Sequence, residues 1–416
     1  MRFVLGWLFS LALVFGADAT IEVTKKVDAL PSIAVEDASV NYTDGLNRRF
    51  FRALVSDLSV LSLFNVDRDY AAVSYNDRDV ASQNEKSDYV LRFRLIQDDD
   101  GAFVADAKLI GHEQVLMEKR YRISNSDLHV FLVHTIAYDV NARMGAPSVE
   151  WMKRKIILSR LVSPQHSEIM IADYTLSYQH VVVRGGLNVF PKWGDREQRR
   201  FYFTNLDGKK PTLYEMDSVT GKRTTIASSD GMMVCSDVNR DGSKLLLTMA
   251  PSGQPDVYLY DRMTRNTTRL TTFSGIDVGG QFMEGDRIAF VSNRMGYPNV
   301  YSKVIGQKGV EQMVYYGKSN SACSAHNEYI VYKARESSNA FDSNTFNLHL
   351  ISTRSDYIRR LTATGVNEFP RFSDDGDAIV FIKNYKQQSA IGVIRLAQNR
   401  NYLFPLKIGK IQSLDW

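Results

Sequence analysis

Few side chains in this sequence fall into patterns that could do chemistry, and each pattern fails at an identifiable position. Asp237-Val238-Asn239-Arg240-Asp241-Gly242 has the spaced oxygen donors and turn glycine of a calcium loop. Such a loop needs a bidentate Glu at its twelfth position, which here is Thr248. Ser373-Asp374-Asp375-Gly376 occupies the same place in a later unit, so both read as hairpin turns. Gly317-Lys318-Ser319 ends like a phosphate-binding loop, but the glycine required five residues earlier is Gln312. His112-Glu113 lacks a second His at helical spacing, which removes the zinc-protease pattern. Neither a G-x-S-x-G nucleophile elbow nor the S-x-D-x-G-x-T-W box of sialidases occurs. The seven His are scattered, and spacing groups none of them into a ligand set. No catalytic, metal-binding or cofactor-binding residue is assigned, and no enzyme activity is expected.

Composition is that of an ordinary globular protein and argues against a polybasic nucleic-acid binder or a disulfide scaffold. The chain has 416 residues, 51 basic against 47 acidic, and only two Cys. This near-neutral balance, without a run of five like charges, gives no polybasic surface for a phosphate backbone. Arg2 followed by the apolar run 3–16 is too short to span about 30 Å of hydrocarbon. With Ala17-Asp18-Ala19 behind it, residues 1–19 read as a cleavable signal peptide, with cleavage before Thr20. The mature chain is then exported, periplasmic in a double-membraned bacterium, and without a transmembrane segment.

The elements divide at Pro147. Residues 20–147 predict an α/β domain, with strands at 21–27 and 32–35 and a helix from Asp44 carrying Leu46, Phe50, Leu54 and Leu58. A hairpin turns at Asp98-Asp99-Asp100-Gly101, and a second helix starts near a cap at Ser126 and stops at Gly145. From 151 to 416 short strands repeat instead. One strand recurs from Ile169, Leu213, Val257, Val300, Leu348 and Ile391, at intervals of 44, 44, 43, 48 and 43 residues. A second anchor recurs at Trp193, Val238, Phe282, Cys323, Phe372 and Trp416, at intervals of 45, 44, 41, 49 and 44. Units of about 44 residues in four strands predict a β-propeller. The fold class expected is thus an α+β N-terminal domain followed by an all-β six-bladed β-propeller. The strand 411–416 should complete the first blade and close the ring, with Trp151 a weaker rival for that place. Cys235 and Cys323 lie on inner strands of non-adjacent blades, beyond the roughly 7 Å a disulfide can bridge, and are expected as buried free thiols.

Ile288-Ala289-Phe290-Val291-Ser292-Asn293-Arg294, then Gly296 and Val300-Tyr301, resembles the blade consensus of the TolB family. Arg269-Leu270-Thr271, Arg360-Leu361-Thr362, Pro191-Lys192-Trp193 and Pro370-Arg371-Phe372-Ser373-Asp374-Asp375-Gly376 fit the same unit. The order of signal peptide, α/β domain and propeller extends the resemblance over the whole chain. It implies a monomeric periplasmic scaffold of the Tol–Pal system that serves outer-membrane integrity and envelope constriction at division. Its propeller face would bind the lipoprotein Pal, and its mature N-terminus, Thr20, Ile21, Glu22, Val23 and Thr24, would engage TolA. A periplasmic propeller hydrolase or glycan-binding protein is the alternative. Trp193, Gln281, His326, Asn367 and Glu368 are the candidates for gripping a partner at the channel rim. The competing reading of the aromatic anchors Trp193, Phe282, Phe372 and Trp416 is packing between blades.

Overall fold

A computed structural model of the chain describes residues 30–40, 45–77, 79–336, 345–355, 357–385 and 388–416. The expected signal peptide, the strand at 21–27 and the candidate tail Thr20–Thr24 lie outside the described residues.

The N-terminal part is a six-stranded sheet with two helices packed on it. Ser32–Asp37 sits between Asn65–Val66 and Tyr89–Gln97, parallel to both, and Phe103–Gly111 and Gln114–Ile123 follow antiparallel. Gly101 takes φ +80° in the expected hairpin turn. The i, i+4 stripe becomes α1 (Leu46–Leu61), which buries Phe50, Leu54 and Leu58 completely. The second helix, α2 (His129–Arg143), begins later than the sequence suggested. Ser126–Leu128 forms a separate 3₁₀ turn, and Asn125 rather than Ser126 accepts the capping hydrogen bond, from the Asp127 amide.

From Ile156 onward the chain builds antiparallel sheets. Four have four strands each, and a fifth has eight, its two halves, 318–360 and 366–405, joined through Phe346 and Val366. The expected return of the chain is present: Lys410–Asp415 pairs antiparallel with Ile156–Ser163, placing Asp415 opposite Ile157. Trp151 is instead on a 3₁₀ turn, Glu150–Lys153, buried against Trp416 and Tyr174 with ring centroids 5.6 and 5.4 Å away. Both cysteines are buried and free.

One apolar cluster runs through both parts, from Phe50 and Leu58 through Trp151 and Tyr174 to Val380, Ile391 and Trp416. Polar contacts fasten the same seam. The Arg395 guanidinium donates to the Val60 and Leu61 carbonyls at the end of α1, and Tyr402 donates to Ser59 O at 3.0 Å. These carbonyls belong to the last turn of the helix, whose C=O groups lack a full set of intrahelical partners, and the other part of the chain supplies donors to them.

Candidate channel and its docking mouth

The candidate site is built by the innermost strands Asn188–Trp193, Met233–Val238, Asp277–Phe282, Lys318–His326, Val366–Phe372 and Lys410–Asp415. Every one of them breaks register with its neighbour in mid-strand. Four place a residue at positive φ at the break: Phe190 (55°), Gly279 (67°), Ala322 (47°) and Phe369 (48°). Left-handed backbone at a non-glycine residue costs of order 1–3 kcal/mol. The breaks turn side chains of all these strands into one central cavity of about 250 Å³. Its lining is mainly apolar, including Phe190, Val234, Val278, Phe369 and Leu414, with both thiols on its wall. Burial pushes the Cys323 thiol up to about 12 and raises Cys235 as well, so both are protonated.

At one end of the cavity a ring of polar residues crosses the channel, and two of its members, Gln281 and Arg371, also line the cavity. The ring consists of the residues one before each anchor: Lys192, Asp237, Gln281, Ser324, Arg371 and Asp415. The Lys192 ammonium lies 3.0 Å from both Asp237 and Asp415 carboxylates. Burial works against its charge, but Asp415 and Asp237 outweigh it and hold its pKa above the usual lysine value. Arg371 donates to Gln281 Oε1 at 3.2 Å and faces Asp415 at 3.8 Å. Three members of the ring also bind the backbone of the neighbouring inner strand. Asp415 accepts from the Trp193 amide, Asp237 from the Phe282 amide and Ser324 from the Phe372 amide. Two cations and two carboxylates leave it formally neutral.

This ring corrects one anchor. Ser324 occupies the ring position, so the residue matching Trp193 and Phe282 is Ala325, not Cys323. Asn320 stands five residues before Ala325, the spacing Asn188 and Asn367 keep to Trp193 and Phe372, which gives the same assignment. With Ala325 the intervals become 45, 44, 43, 47 and 44, closer to those of the other series.

The two channel ends differ. At the ring end the N-terminal part is docked, and a buried charge cluster crosses the seam there. His134 on α2 meets Asp57 Oδ2 on α1 at 2.7 Å through Nδ1, while Nε2 faces Asp173 Oδ2 at 3.3 Å. Tyr174 donates to Asp57 Oδ1 at 2.5 Å. Burial disfavours the imidazolium, yet the two carboxylates raise its pKa to about 9. At the opposite mouth, where the inner strands begin, Met232, Ile276, Met295, Tyr297, Tyr315 and Tyr316 are exposed, both tyrosines to 72%. Met232 belongs to this mouth and to the cavity wall together.

The rim candidates separate on this geometry. Trp193 and His326 lie at the ring end. Trp193 is buried, its Nε1 donating to Lys155 O at 3.1 Å, and His326 packs on Phe372 with centroids 5.8 Å apart. Gln281 is buried within the ring, donating to Ser236 O at 2.9 Å. Asn367 and Glu368 lie toward the open mouth. Asn367 is fully buried and donates to Phe346 O at 2.8 Å, the structural post that Asn188 and Asn320 form five residues before their own anchors. Glu368 is half-buried, bonded to Lys333 at 3.1 Å and Asn384 at 2.8 Å. Phe282, Phe372 and Trp416 pack in the apolar clusters, as the competing reading of the anchors held. The pseudo-calcium turn is also explained, because Asp237 turns into the ring while Asp241 accepts from the Ser243 amide. What sequence reasoning missed is the rest of the ring, Lys192, Asp237, Ser324, Arg371 and Asp415.

A succession of antiparallel sheets around one lined channel, with a part of helices and strands at one end, defines the β-propeller class. Residues 155–416 match the family model for the TolB beta propeller domain. The chain belongs to the TolB family. It is 45% identical to the Tol-Pal system protein TolB of Wolinella succinogenes over the full length of both. The protein of that name from Campylobacter jejuni is 44% identical, with 99% of this chain and 98% of the relative covered. The crystal structure of TolB from Acinetobacter baumannii superposes with a TM-score of 0.75, covering 93% of this chain and 97% of that one, at 20% identity.

Proposed function

We propose that this chain is the periplasmic docking scaffold of a Tol–Pal system, exported by a signal peptide at 1–19. In this reading residues 20–147 are an α/β domain, and 151–416 a six-bladed propeller closed by Lys410–Asp415. A Pal-like lipoprotein docks on the open mouth, and a TolA-like inner-membrane protein takes Thr20–Thr24. The bridge between them serves outer-membrane integrity and constriction of the envelope at division. Full-length relationship to Tol-Pal system proteins is the observation that carries this reading. The mouth is its location because exposed aromatic and Met side chains there adjoin a desolvated cavity, the usual make-up of a binding hot spot. Hydrolysis would need free acid and base groups converging on substrate, whereas the channel carboxylates are paired with Lys192 and Arg371.

Calorimetric titration of the purified chain with the soluble domain of the Pal-like lipoprotein from the same genome tests the proposal. Binding at micromolar concentration is expected, with Tyr315→Ser/Tyr316→Ser weakening it about tenfold or more (1.4 kcal/mol) and leaving the melt unchanged. Absence of binding by the wild-type chain would refute the docking role.

A further inference from the structure

We propose that the outer face of α1 is a second contact for the inner-membrane partner, gripping an acidic segment of it through Arg48, Arg49 and Arg52. This deepens the two-partner reading above, on which it rests. All three side chains are exposed and lie in the first two turns of the helix. Cations there meet the positive end of the helix dipole, and Arg48 and Arg52 stand four residues apart, where like charges repel. The first turn carries no acid to offset them, and Gly45 has no side chain to cap it. Among the described residues no carboxylate pairs with any of the three. The exposed cations of the strand Gln114–Ile123 differ, since Lys119, Arg120 and Arg122 each pair with an aspartate.

Contacts within the chain also hold the stripe in shape. Arg48 lies over the Tyr70 ring at 4.2 Å, and Tyr70 is itself fixed by donating to Asp37 at 2.6 Å. Arg52 Nε donates to Arg48 O at 3.3 Å, which leaves its terminal nitrogens for another acceptor. Planar guanidinium groups held in this way take carboxylates through two parallel hydrogen bonds. Along the helix Arg48 and Arg52 are about 6 Å apart, a span that carboxylates four residues apart on a partner helix also have. The far end of α1 is fastened to the propeller by Arg395 and Tyr402, so the stripe belongs to the end of the molecule away from the open mouth. A lipid surface is the poorer occupant. Residues 30–147 hold thirteen Lys and Arg against eighteen Asp and Glu, so an anionic bilayer repels this part as a whole. A local basic stripe on an acidic body selects a local acidic segment instead.

The variant Arg48→Gln/Arg49→Glu/Arg52→Glu tests the assignment, with glutamine at 48 to keep a new carboxylate away from the Tyr70–Asp37 pair. Acids suit the start of a helix, so it should melt at the wild-type temperature or above. Titrated at about 50 mM salt with the soluble domain of the TolA-like protein from the same genome, it should bind at least tenfold more weakly than wild type. Raising salt to about 300 mM should weaken the wild-type complex and leave the variant's affinity nearly flat. Equal affinity of the folded variant and the wild type overturns the inference. Affinity for the Pal-like domain should stay within twofold, and a parallel loss there would make the effect structural and overturn it too. Sedimentation with phosphatidylglycerol vesicles checks the other occupant: binding by the wild type that the variant loses would give the stripe to the membrane and overturn the assignment. If the wild-type chain does not bind the TolA-like domain at all, the two-partner reading itself falls and this inference with it.

Discussion

Asp415 is the residue on which the channel's polar order converges. It holds Lys192 at 3.0 Å, accepts from the Trp193 amide and faces Arg371. Removing one partner of a buried pair leaves the other charged and unsolvated, at a cost of about 3–5 kcal/mol. Asp415→Ala should lose that much in urea unfolding followed by circular dichroism. His134 makes a different prediction, because its charge is itself a variable. Its folded pKa is about 9 against about 6.5 unfolded, so its stabilisation is complete below about pH 6.5. That contribution disappears as pH rises through about 9. Denaturation at a series of pH values should show falling stability over this window, and His134→Gln should remove the slope. Neither role was legible from the sequence. The ring positions carry Lys, Asp, Gln, Ser, Arg and Asp, so no single residue type marks them, and His134 meets Asp57 and Asp173 only through tertiary packing.

At the scale of elements, much was legible because each unit buries the same faces. The strand series at Ile169, Leu213 and Val257 lands on strands His166–Ala172, Thr212–Asp217 and Asp256–Asp261, all fully buried at those positions. Periodicity failed where two small side chains of one strand face the same apolar cluster, as Cys323 and Ala325 do. It failed differently at the rim. Choosing polar residues near anchors mixed the two ends of the channel, since Trp193 ends an inner strand whereas Asn367 lies near the start of one. The return strand carries the prediction at this scale. Deleting residues 411–416 unpairs Ile156–Ser163 and removes Ser413, Asp415 and Trp416 from their contacts with Phe190, Trp193 and Phe372. A scanning calorimetry trace should lose its single cooperative transition, or the protein should aggregate through the opened edge. An unchanged melt would mean that this strand is dispensable for closure.

For the whole molecule, the described N-terminal part and the open mouth lie at opposite ends of the channel. The N-terminal part docks at the ring end through α1, α2 and Arg395, while the exposed tyrosines surround the far mouth. Removing residues 20–27 should therefore abolish binding of a TolA-like domain while leaving affinity for the Pal-like domain within twofold. Paired titrations of the truncated and intact chains check this, and a parallel loss of both affinities would contradict separate surfaces.

The pairing of Lys410–Asp415 with Ile156–Ser163 also fixes an order of events. Strands that neighbour one another in the circle are here first and last in chain order, with every other sheet made in between. A polypeptide emerging N-terminus first, from a ribosome or through a pore, can form its α/β part and its middle sheets as they appear. It cannot complete the circle, because the partner of Ile157 and the acceptor for Trp193 arrive together in Asp415. Until then Lys192 has one carboxylate instead of two. Until those residues arrive the succession of sheets stays open at this seam.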